Sequence, residues 1–285
     1  MKLITSDSVL RKYIPNVISN VTGEMSLFDK LTSYLDIAEE WVKNTFTSEV
    51  TFNTICGYTD NNIIKTYTAK VVVSEAFRRA VPSLDVVLTP NGFGIVSNSN
   101  IAPTSKERVS WLVESLEAER DGAIRLLLSV LVGASKWTSS AQYEYFTATM
   151  FHNLDICDYL GVASLQWQKY QEVRPALLEM EQHIATQFLG AEQYAILRKE
   201  SVTLSSASHL VKSVIRSLRA YEAQTLKDRL SKTVPLCSPP TTLIGIVNII
   251  RNKPNEFPQW HKSSIAALYS PAVFENKKDE KGYWF

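Results

Sequence analysis

The chain has 285 residues, of which 45% are hydrophobic and 21% are charged, and its formal net charge is +1 at pH 7. These values are typical of a globular protein with a substantial core in one or two domains. No stretch approaches the roughly 18 to 20 consecutive apolar residues that a membrane span needs. The near-neutral charge disfavours a protein whose main task is to bind nucleic-acid phosphates. The N-terminus lacks the apolar segment of a secretion signal, and three widely spaced cysteines disfavour disulfides and zinc sites. We therefore expect a protein of a reducing cytoplasm.

Apolar spacing predicts helices through most of the first 84 residues. A short helix is expected over 5–14. Ser26, with Asp29 three residues later, predicts the start of a longer helix whose apolar stripe runs to Phe46. A third helix is predicted over 61–80, ending before Pro82. Its β-branched centre leaves a strand as the alternative, because such residues lose rotamer freedom in a helix.

The next segment has the pattern of a β-hairpin. Two β-branched and apolar stretches, Asp85–Leu88 and Phe93–Ser97, flank the turn sequence Thr89-Pro90-Asn91-Gly92. Pro fits an early turn position and Gly accepts positive φ near the end of the turn. A hairpin over 85–97 is therefore predicted.

A long helix is predicted to follow the hairpin. Thr104 and Glu107 have the spacing of a capping box, and apolar residues recur at helical intervals as far as Leu131. Gly122 is the expected interruption and Gly133 the expected end.

The second half also reads as helical. Ser139 and Gln142 form another predicted cap, and a kink or a fresh helix start is expected at Pro175. No internal repeat is evident.

The predicted fold is mainly α with α+β character: a multi-helix bundle with one β-hairpin before a long helix and an extended C-terminal tail. The predicted regions are an N-terminal helical region, 1–135, a second helical region, 136–253, and a C-terminal arm, 254–285.

Candidate chemistry is sparse. Of four histidines only His152 has carboxylates at helical spacing, Asp155 and Asp158, whereas a metal site needs three or four converging ligands. Phosphate-binding and nucleophile motifs are missing from the sequence. Acidic residues of the long helix, among them Asp121 beside Arg120, read as solvated partners. We therefore predict no catalytic residue, no cofactor and no metal, although an enzyme with an unrecognised site stays open.

Two features suggest contact surfaces. Lys212, Arg216 and Arg219 share one helical face, which is either a solvated surface or one that faces DNA in a channel or an acidic partner. The chain ends in three aromatics, each worth about 1.5 to 3 kcal/mol if buried. These aromatics, Tyr283, Trp284 and Phe285, either fold back onto this chain or dock on a neighbouring subunit.

Four stretches together resemble a known group: KLITSDSVLRKYIPNV, SLFDKLTSYLDIAEEW, VVLTPNGFGIVSNSNIAPTSKERV and FENKKDEKGYWF. They resemble an uncharacterised family encoded by tailed bacteriophages and integrated elements of gut bacteria. The chain is also similar in plan to phage head-tail connector proteins, also called adaptors or head-completion proteins. It departs from small connectors in carrying a second helical half.

The resemblance implies a structural virion component made in the bacterial cytoplasm. Its copies would form a homo-oligomeric ring, commonly twelvefold, below the portal protein, contact neighbouring tail or adaptor proteins, and enclose DNA only as non-specific cargo. A ring of this kind needs two different complementary surfaces on each subunit. The expected contact residues are Pro90, Asn91, Gly92 and Phe93 of the hairpin and Tyr283, Trp284 and Phe285 of the C-terminal arm. A non-virion intracellular phage or host factor is the other alternative.

Overall fold

The computed structural model describes residues 1–14, 25–84, 86–89, 92–95, 105–231 and 240–269, with side chains absent from the description at 86–89, 92–95 and 240–242. The protein is a mostly helical multi-helix bundle, as predicted. It divides into two compact units, Met1–Pro175 and Ala176–Phe285, so the division lies at 175 rather than at the expected 135. Within the described ranges, no helix has the length and apolarity needed to cross a membrane.

Unit 1 contains the first seven helices, the two strands and the beginning of the eighth helix. The bounds are α1 Asp7–Leu10, α2 Leu27–Val42, a π-helical turn Lys43–Thr47, α3 Glu49–Cys56, α4 Ile63–Leu84, β1 Val86–Thr89, β2 Gly92–Ile95, α5 Lys106–Leu131, α6 Ala141–Thr147, α7 Ile156–Leu160 and α8 Gln166–Ile184. The Ser26 cap of α2 is confirmed, because its hydroxyl accepts from the main-chain N–H of Asp29 at 3.1 Å.

The two strands pair antiparallel, with Val86 opposite Ile95 and Thr89 opposite Gly92. The predicted turn residues Pro90 and Asn91 lie outside the described residues. So do the hairpin's predicted limits, Asp85 and Ser97.

Helix α4 is longer than predicted and excludes the strand alternative. Val71, Val72 and Val73 are all helical and all buried. Their β-branched side chains are tolerated because α4 packs against both α2 and α5, so every face of its middle gains apolar contact. Pro82 lies inside the last turn of α4, so the bond that its missing N–H cannot make, to the carbonyl of Arg78, weakens only the end of the helix.

Helix α5 begins one residue later than the predicted cap. Ser105, not Thr104, is the N-cap, and its hydroxyl accepts from the N–H of Arg108 at 3.4 Å. The predicted interruption at Gly122 is wrong, since α5 continues to Leu131. The long apolar stripe keeps the helix intact although one glycine costs about 1 kcal/mol.

Unit 2 contains the rest of α8 and five further helices. Helix α8 continues through Pro175, where a kink or a fresh start was expected. The remaining bounds are a π-helical turn Ala185–Leu189, α9 Ala191–Val202, a 3₁₀ turn Leu204–Ser206, α10 His209–Ser231, α11 Pro240–Arg251, α12 Pro258–Lys262 and α13 Ser264–Tyr269.

The two units contain the same local motif. In each, a helix ends in a π-helical turn, Lys43–Thr47 in unit 1 and Ala185–Leu189 in unit 2. A residue with positive φ follows, Ser48 at 71° and Gly190 at 74°. A shorter helix, α3 or α9, then begins at once.

A buried tryptophan fixes each π-helical turn. The indole N–H of Trp137 donates to the carbonyl of Phe46 at 2.6 Å. The indole N–H of Trp260 donates to the carbonyl of Phe188 at 3.0 Å. Both tryptophans are fully buried, so each bond satisfies a carbonyl that the wide turn leaves without a regular helical partner.

A serine three residues after each tryptophan caps the next stretch of chain. Ser140 donates to the carbonyl of the preceding tryptophan at 2.6 Å and accepts from the N–H of Tyr143 at 3.2 Å. Ser263 does the same at 2.6 Å and accepts from the N–H of Ala266 at 3.4 Å. The correspondence therefore extends well beyond the turn.

Buried positions also coincide when both motifs are counted from their phenylalanines, Phe46 and Phe188. The expectation of no internal repeat is wrong at the level of structure, because the motifs share burial and hydrogen bonding but few identical residues. The matched buried pairs are Leu35 with Leu177, Glu39 with Glu181, Val42 with Ile184, Phe52 with Tyr194, and Ile55 with Leu197.

Candidate functional site

The distal part of the α4–α5 helix pair is the first candidate surface. We call its described residues, 81–84, 86–89, 92–95 and 105–116, the projection. It comprises the end of α4, both strands and the start of α5. Within α5, residues 106–115 include no buried position, whereas Leu116, Ile124 and Leu128 further along are buried. The start of α5 therefore extends beyond the core of unit 1.

Trp111 lies on this exposed part of α5 with 61% of its surface accessible. Val109, Leu112 and Val113 beside it are only half-buried. An indole left in water forgoes about 1.5 to 3 kcal/mol of burial. Tryptophan is also among the residues that most often dominate protein interfaces. The start of α5 thus has the composition of a contact surface.

A buried ion network holds the base of the projection together. Glu75 of α4 accepts at 2.9 Å from Arg120 of α5 and at 2.9 Å from Arg78. Arg79 donates to its other oxygen at 2.6 Å. Arg78 also pairs with Glu117 at 3.4 Å. The pairings 75 with 120 and 78 with 117 run in opposite directions along the chain, so α4 and α5 are antiparallel.

Asp121 extends this network to α8. Its Oδ1 accepts from Arg120 Nε at 2.9 Å, and its Oδ2 accepts from the main-chain N–H of Trp167 at 3.2 Å. Both Asp121 and Arg120 are buried. One carboxylate thereby satisfies a guanidinium and an otherwise unpaired N–H at the start of α8.

The pKa of Glu75 shows how strongly its arginine partners stabilise the charged carboxylate. Burial disfavours the charged carboxylate, but the hydrogen bonds from Arg78, Arg120 and Arg79 outweigh burial and lower the pKa of Glu75 to about 2. Glu75 therefore stays charged at neutral pH, and its charge is compensated inside the protein.

The expectation that Asp121 is solvated is wrong, and its neighbour Arg120 is buried with it. Arg120 falls four residues after Leu116 and four before Ile124, on the apolar stripe that the sequence already displays. That position was the available signal for burial. Nothing in the sequence pairs Arg120 with Glu75, since the two are 45 positions apart.

The hypothesised contact residues fall largely outside the described residues. Gly92 and Phe93 begin β2, where only the backbone is described. Lying outside the described ranges are Pro90, Asn91, Tyr283, Trp284 and Phe285.

The predicted basic face requires correction. Lys212 and Arg216 are accessible, but Arg219 is buried and donates to the main-chain carbonyl of Ser201 at 3.4 Å. Arg219 lies on the edge of the stripe that α10 buries, close to Glu222. The three residues therefore do not form one exposed face.

The possible metal ligands are engaged elsewhere. Arg125 pairs with Asp155 at 2.9 Å and also with Asp158, and His152 is buried. Among the residues that the structure describes, no group of three or more His, Cys, Asp or Glu side chains could hold a metal ion.

A second candidate surface lies on the repeated motif. In unit 1, rings from the start of α8 cover it: Trp167 lies 4.8 Å from Phe46 between centroids, and Tyr170 stacks on Phe146 at 6.1 Å. Trp167 is 6% exposed and Tyr170 is fully buried. A groove of about 390 Å³ remains beside them.

In unit 2 the matching side chains are more exposed than their counterparts in unit 1. Phe188 and Tyr269, which match Phe46 and Phe146, are only half-buried. Leu268 is 75% exposed. A groove of about 370 Å³ is lined by other residues of unit 2, three of which match lining residues of the unit 1 groove. The pairs are Thr186 with Asn44, Ser264 with Ala141, and Ile265 with Gln142.

Residues 14–147 match a family of unknown function, DUF6712. The matched stretch includes the projection, the ion network except its bond to α8, and the first copy of the motif through α6. No curated protein and no solved structure was found to match the chain.

Proposed function

We propose that this protein is a structural component of a virion, a head-tail connector or adaptor subunit that forms a homo-oligomeric ring between the portal and the tail. The ring would extend the DNA channel, with DNA as non-specific cargo. The resemblance of the sequence to phage connector proteins motivates the assignment. The observation that carries it is the projection, with Trp111 exposed beyond the core of unit 1.

The proposal gives each contact element a place. The predicted hairpin over 85–97, whose strands β1 and β2 belong to the projection, and the predicted C-terminal arm contact neighbouring subunits or rings. A buried ion network at the base of the projection suits this role, because it fixes α4 against α5 and so presents the tip in a defined direction. With Arg219 buried, a basic surface facing DNA would depend on Lys212 and Arg216.

Two measurements test the proposal. Mass spectrometry of gradient-purified particles from a producing strain should detect this chain in constant ratio to the portal protein. Electron cryo-microscopy of the same particles should place it in the neck as a ring. A chain that stays in the soluble host fraction, with particles free of it, contradicts the proposal and leaves the intracellular factor.

A further inference from the structure

We propose that the groove of unit 1 binds a neutral saccharide. Its described lining combines three carboxamides with the aromatic side chains Tyr145 and Trp167, and it includes no charged residue. The carboxamides belong to Asn44, Gln142 and Gln171. The groove volume of about 390 Å³ lies within the range of about 300 to 1,000 Å³ for small-molecule sites. This ligand site goes beyond the proposed virion role and does not depend on it.

Trp167 supplies a hydrogen-bond donor that the fold does not use. The residue lines the groove and is 6% exposed, and within the described ranges its indole N–H has no acceptor. The fully buried tryptophans Trp137 and Trp260, by contrast, both donate to main-chain carbonyls. Because a polar group in a largely buried side chain normally has a partner, the N–H of Trp167 points to an acceptor supplied from outside the chain.

Two carboxamides are held with their oxygens available. The amide nitrogen of Gln142 donates to the main-chain carbonyl of Asn44 at 3.0 Å, and the amide nitrogen of Asn44 donates to Glu40 at 3.0 Å. Since both nitrogens are engaged, the side-chain oxygens are left as acceptors. Gln171 is exposed and offers both groups. A ligand rich in hydroxyl groups, which donate and accept, matches this combination of one indole donor and two oriented acceptors.

Tyr145 adds an apolar surface beside these polar groups. It is 38% exposed. The guanidinium of Arg174 lies over the tyrosine ring, 3.6 Å from its centroid, and also donates to the main-chain carbonyl of Tyr145 at 2.8 Å. These two contacts cover one face of the ring and hold its orientation. A sugar ring presents C–H groups between its hydroxyls, and such a surface packs on the exposed part of an aromatic ring.

The repeated motif provides an internal comparison. In the groove of unit 2, Thr186 and Ile265 stand at the positions of the two oriented carboxamides. That groove also includes the charged side chains of Glu192 and Lys262. The carboxamides of unit 1 are therefore not a requirement of the motif itself, and we assign saccharide binding to the groove of unit 1 alone.

Saturation-transfer difference NMR of the full-length protein tests the site, with maltotriose and tri-N-acetylchitotriose as probes. At least one of the two should receive saturation from the protein, and titration of the signal gives the dissociation constant. Gln171→Ala, at an exposed lining position, should raise this constant about fivefold through loss of one hydrogen bond. Gln168→Ala is the matched control, because Gln168 is exposed on the same helix and is not part of the described lining. It should bind like the parent.

Trp167→Phe removes the indole N–H and keeps an aromatic ring in the cluster, so it should weaken binding by a similar factor. Thermal unfolding checks that this variant is folded, and if it is not, Gln171→Ala alone decides. Failure of both saccharides to give a signal overturns the inference, and so does a signal that Gln171→Ala leaves unchanged. Binding of decaproline in place of the saccharides would assign the groove to a peptide partner and would also overturn it.

Discussion

The hydroxyl of Tyr194 donates a hydrogen bond of 2.8 Å to Oε1 of Glu222, and both side chains are buried in unit 2. Glu181 is buried close by, at the position that Glu39 occupies in the first motif. Burial and the charge of Glu181 raise the pKa of Glu222 well above its ordinary value, against the opposing effects of Tyr194 and Arg219. The carboxyl of Glu222 therefore keeps its proton to a higher pH than an ordinary glutamic acid does.

Stability should consequently fall as pH rises. The folded protein keeps a proton on Glu222 that the unfolded chain releases above about pH 4.3, so this contribution is complete below that pH and is lost as pH rises toward the raised pKa. One such proton lowers the free energy of unfolding by up to about 1.4 kcal/mol for each pH unit in this range. Glu222→Gln should flatten the slope, measured as the free energy of unfolding in urea at pH 5, 7 and 9. Glu192→Gln, at an exposed site, should retain the slope of the unaltered protein. An unchanged slope in Glu222→Gln would contradict the assignment.

Arg120→Ala should destabilise unit 1 by about 3 to 5 kcal/mol, because it leaves Glu75 and Asp121 buried without their shared cation. The free energy of unfolding from denaturant titration measures the loss. Arg79→Ala removes a more exposed partner of the same Glu75 and should cost about 1 kcal/mol or less. Equal losses for the two arginines would show that Arg120 is not the centre of the network.

Two glycine-to-alanine changes should have opposite signs. Gly190 has φ of 74°, and a Cβ there would lie 3.0 Å from Cβ of Ser263, so Gly190→Ala should cost about 1 to 3 kcal/mol. At Gly122, inside α5, a Cβ meets nothing within 4 Å. Gly122→Ala should therefore stabilise the protein by about 0.5 to 1 kcal/mol. In thermal unfolding, the midpoint of Gly190→Ala should lie below that of the parent protein and the midpoint of Gly122→Ala above it. Shifts of both midpoints in the same direction would contradict the different environments of the two glycines.

Trp111→Ala should weaken assembly and spare the fold. An interface tryptophan is commonly worth 2 kcal/mol or more to association, whereas loss of an exposed side chain changes stability by about 0.5 kcal/mol or less. Mass photometry of the full-length protein measures the loss of assembly, and thermal unfolding measures any change in stability. Leu126→Ala, at a 46% exposed position on the same helix, is the matched control. Should both variants assemble like the parent, the start of α5 is not a contact surface.

Local patterns predicted the helices well, because capping and apolar spacing act over a few residues. Ser26 caps α2 as expected, and the stripe of α5 is buried from Leu116 onward. Caps next to other hydroxyl residues were misplaced by one position: Ser105 replaces Thr104, and Ser140, which accepts from the N–H of Tyr143, replaces Ser139. Neighbouring serines and threonines offer the same chemistry, and only tertiary packing selects between them.

Long-range pairing was beyond prediction. The hydrogen bond between Trp137 and the Phe46 carbonyl joins residues 91 positions apart, and the sequence around neither residue predicts it. The same holds for Trp260 and Phe188, and so the repeated motif stayed hidden. The two copies preserve burial, turn type and donor position while exchanging most side chains, as Val42 and Ile184 or Phe52 and Tyr194 illustrate. Such a relationship becomes visible only when hydrogen bonds are known.

Asp121 has a consequence that reaches across unit 1. One of its oxygens accepts a hydrogen bond from the guanidinium of Arg120 at the foot of the projection. The other accepts from the main-chain N–H of Trp167 in the first turn of α8, next to the rings that cover Phe46 and Phe146. A single buried carboxylate therefore ties the start of α8, which covers Phe46 and Phe146, to the helix that carries the projection. Neither can shift relative to the other without loss of a hydrogen bond to Asp121.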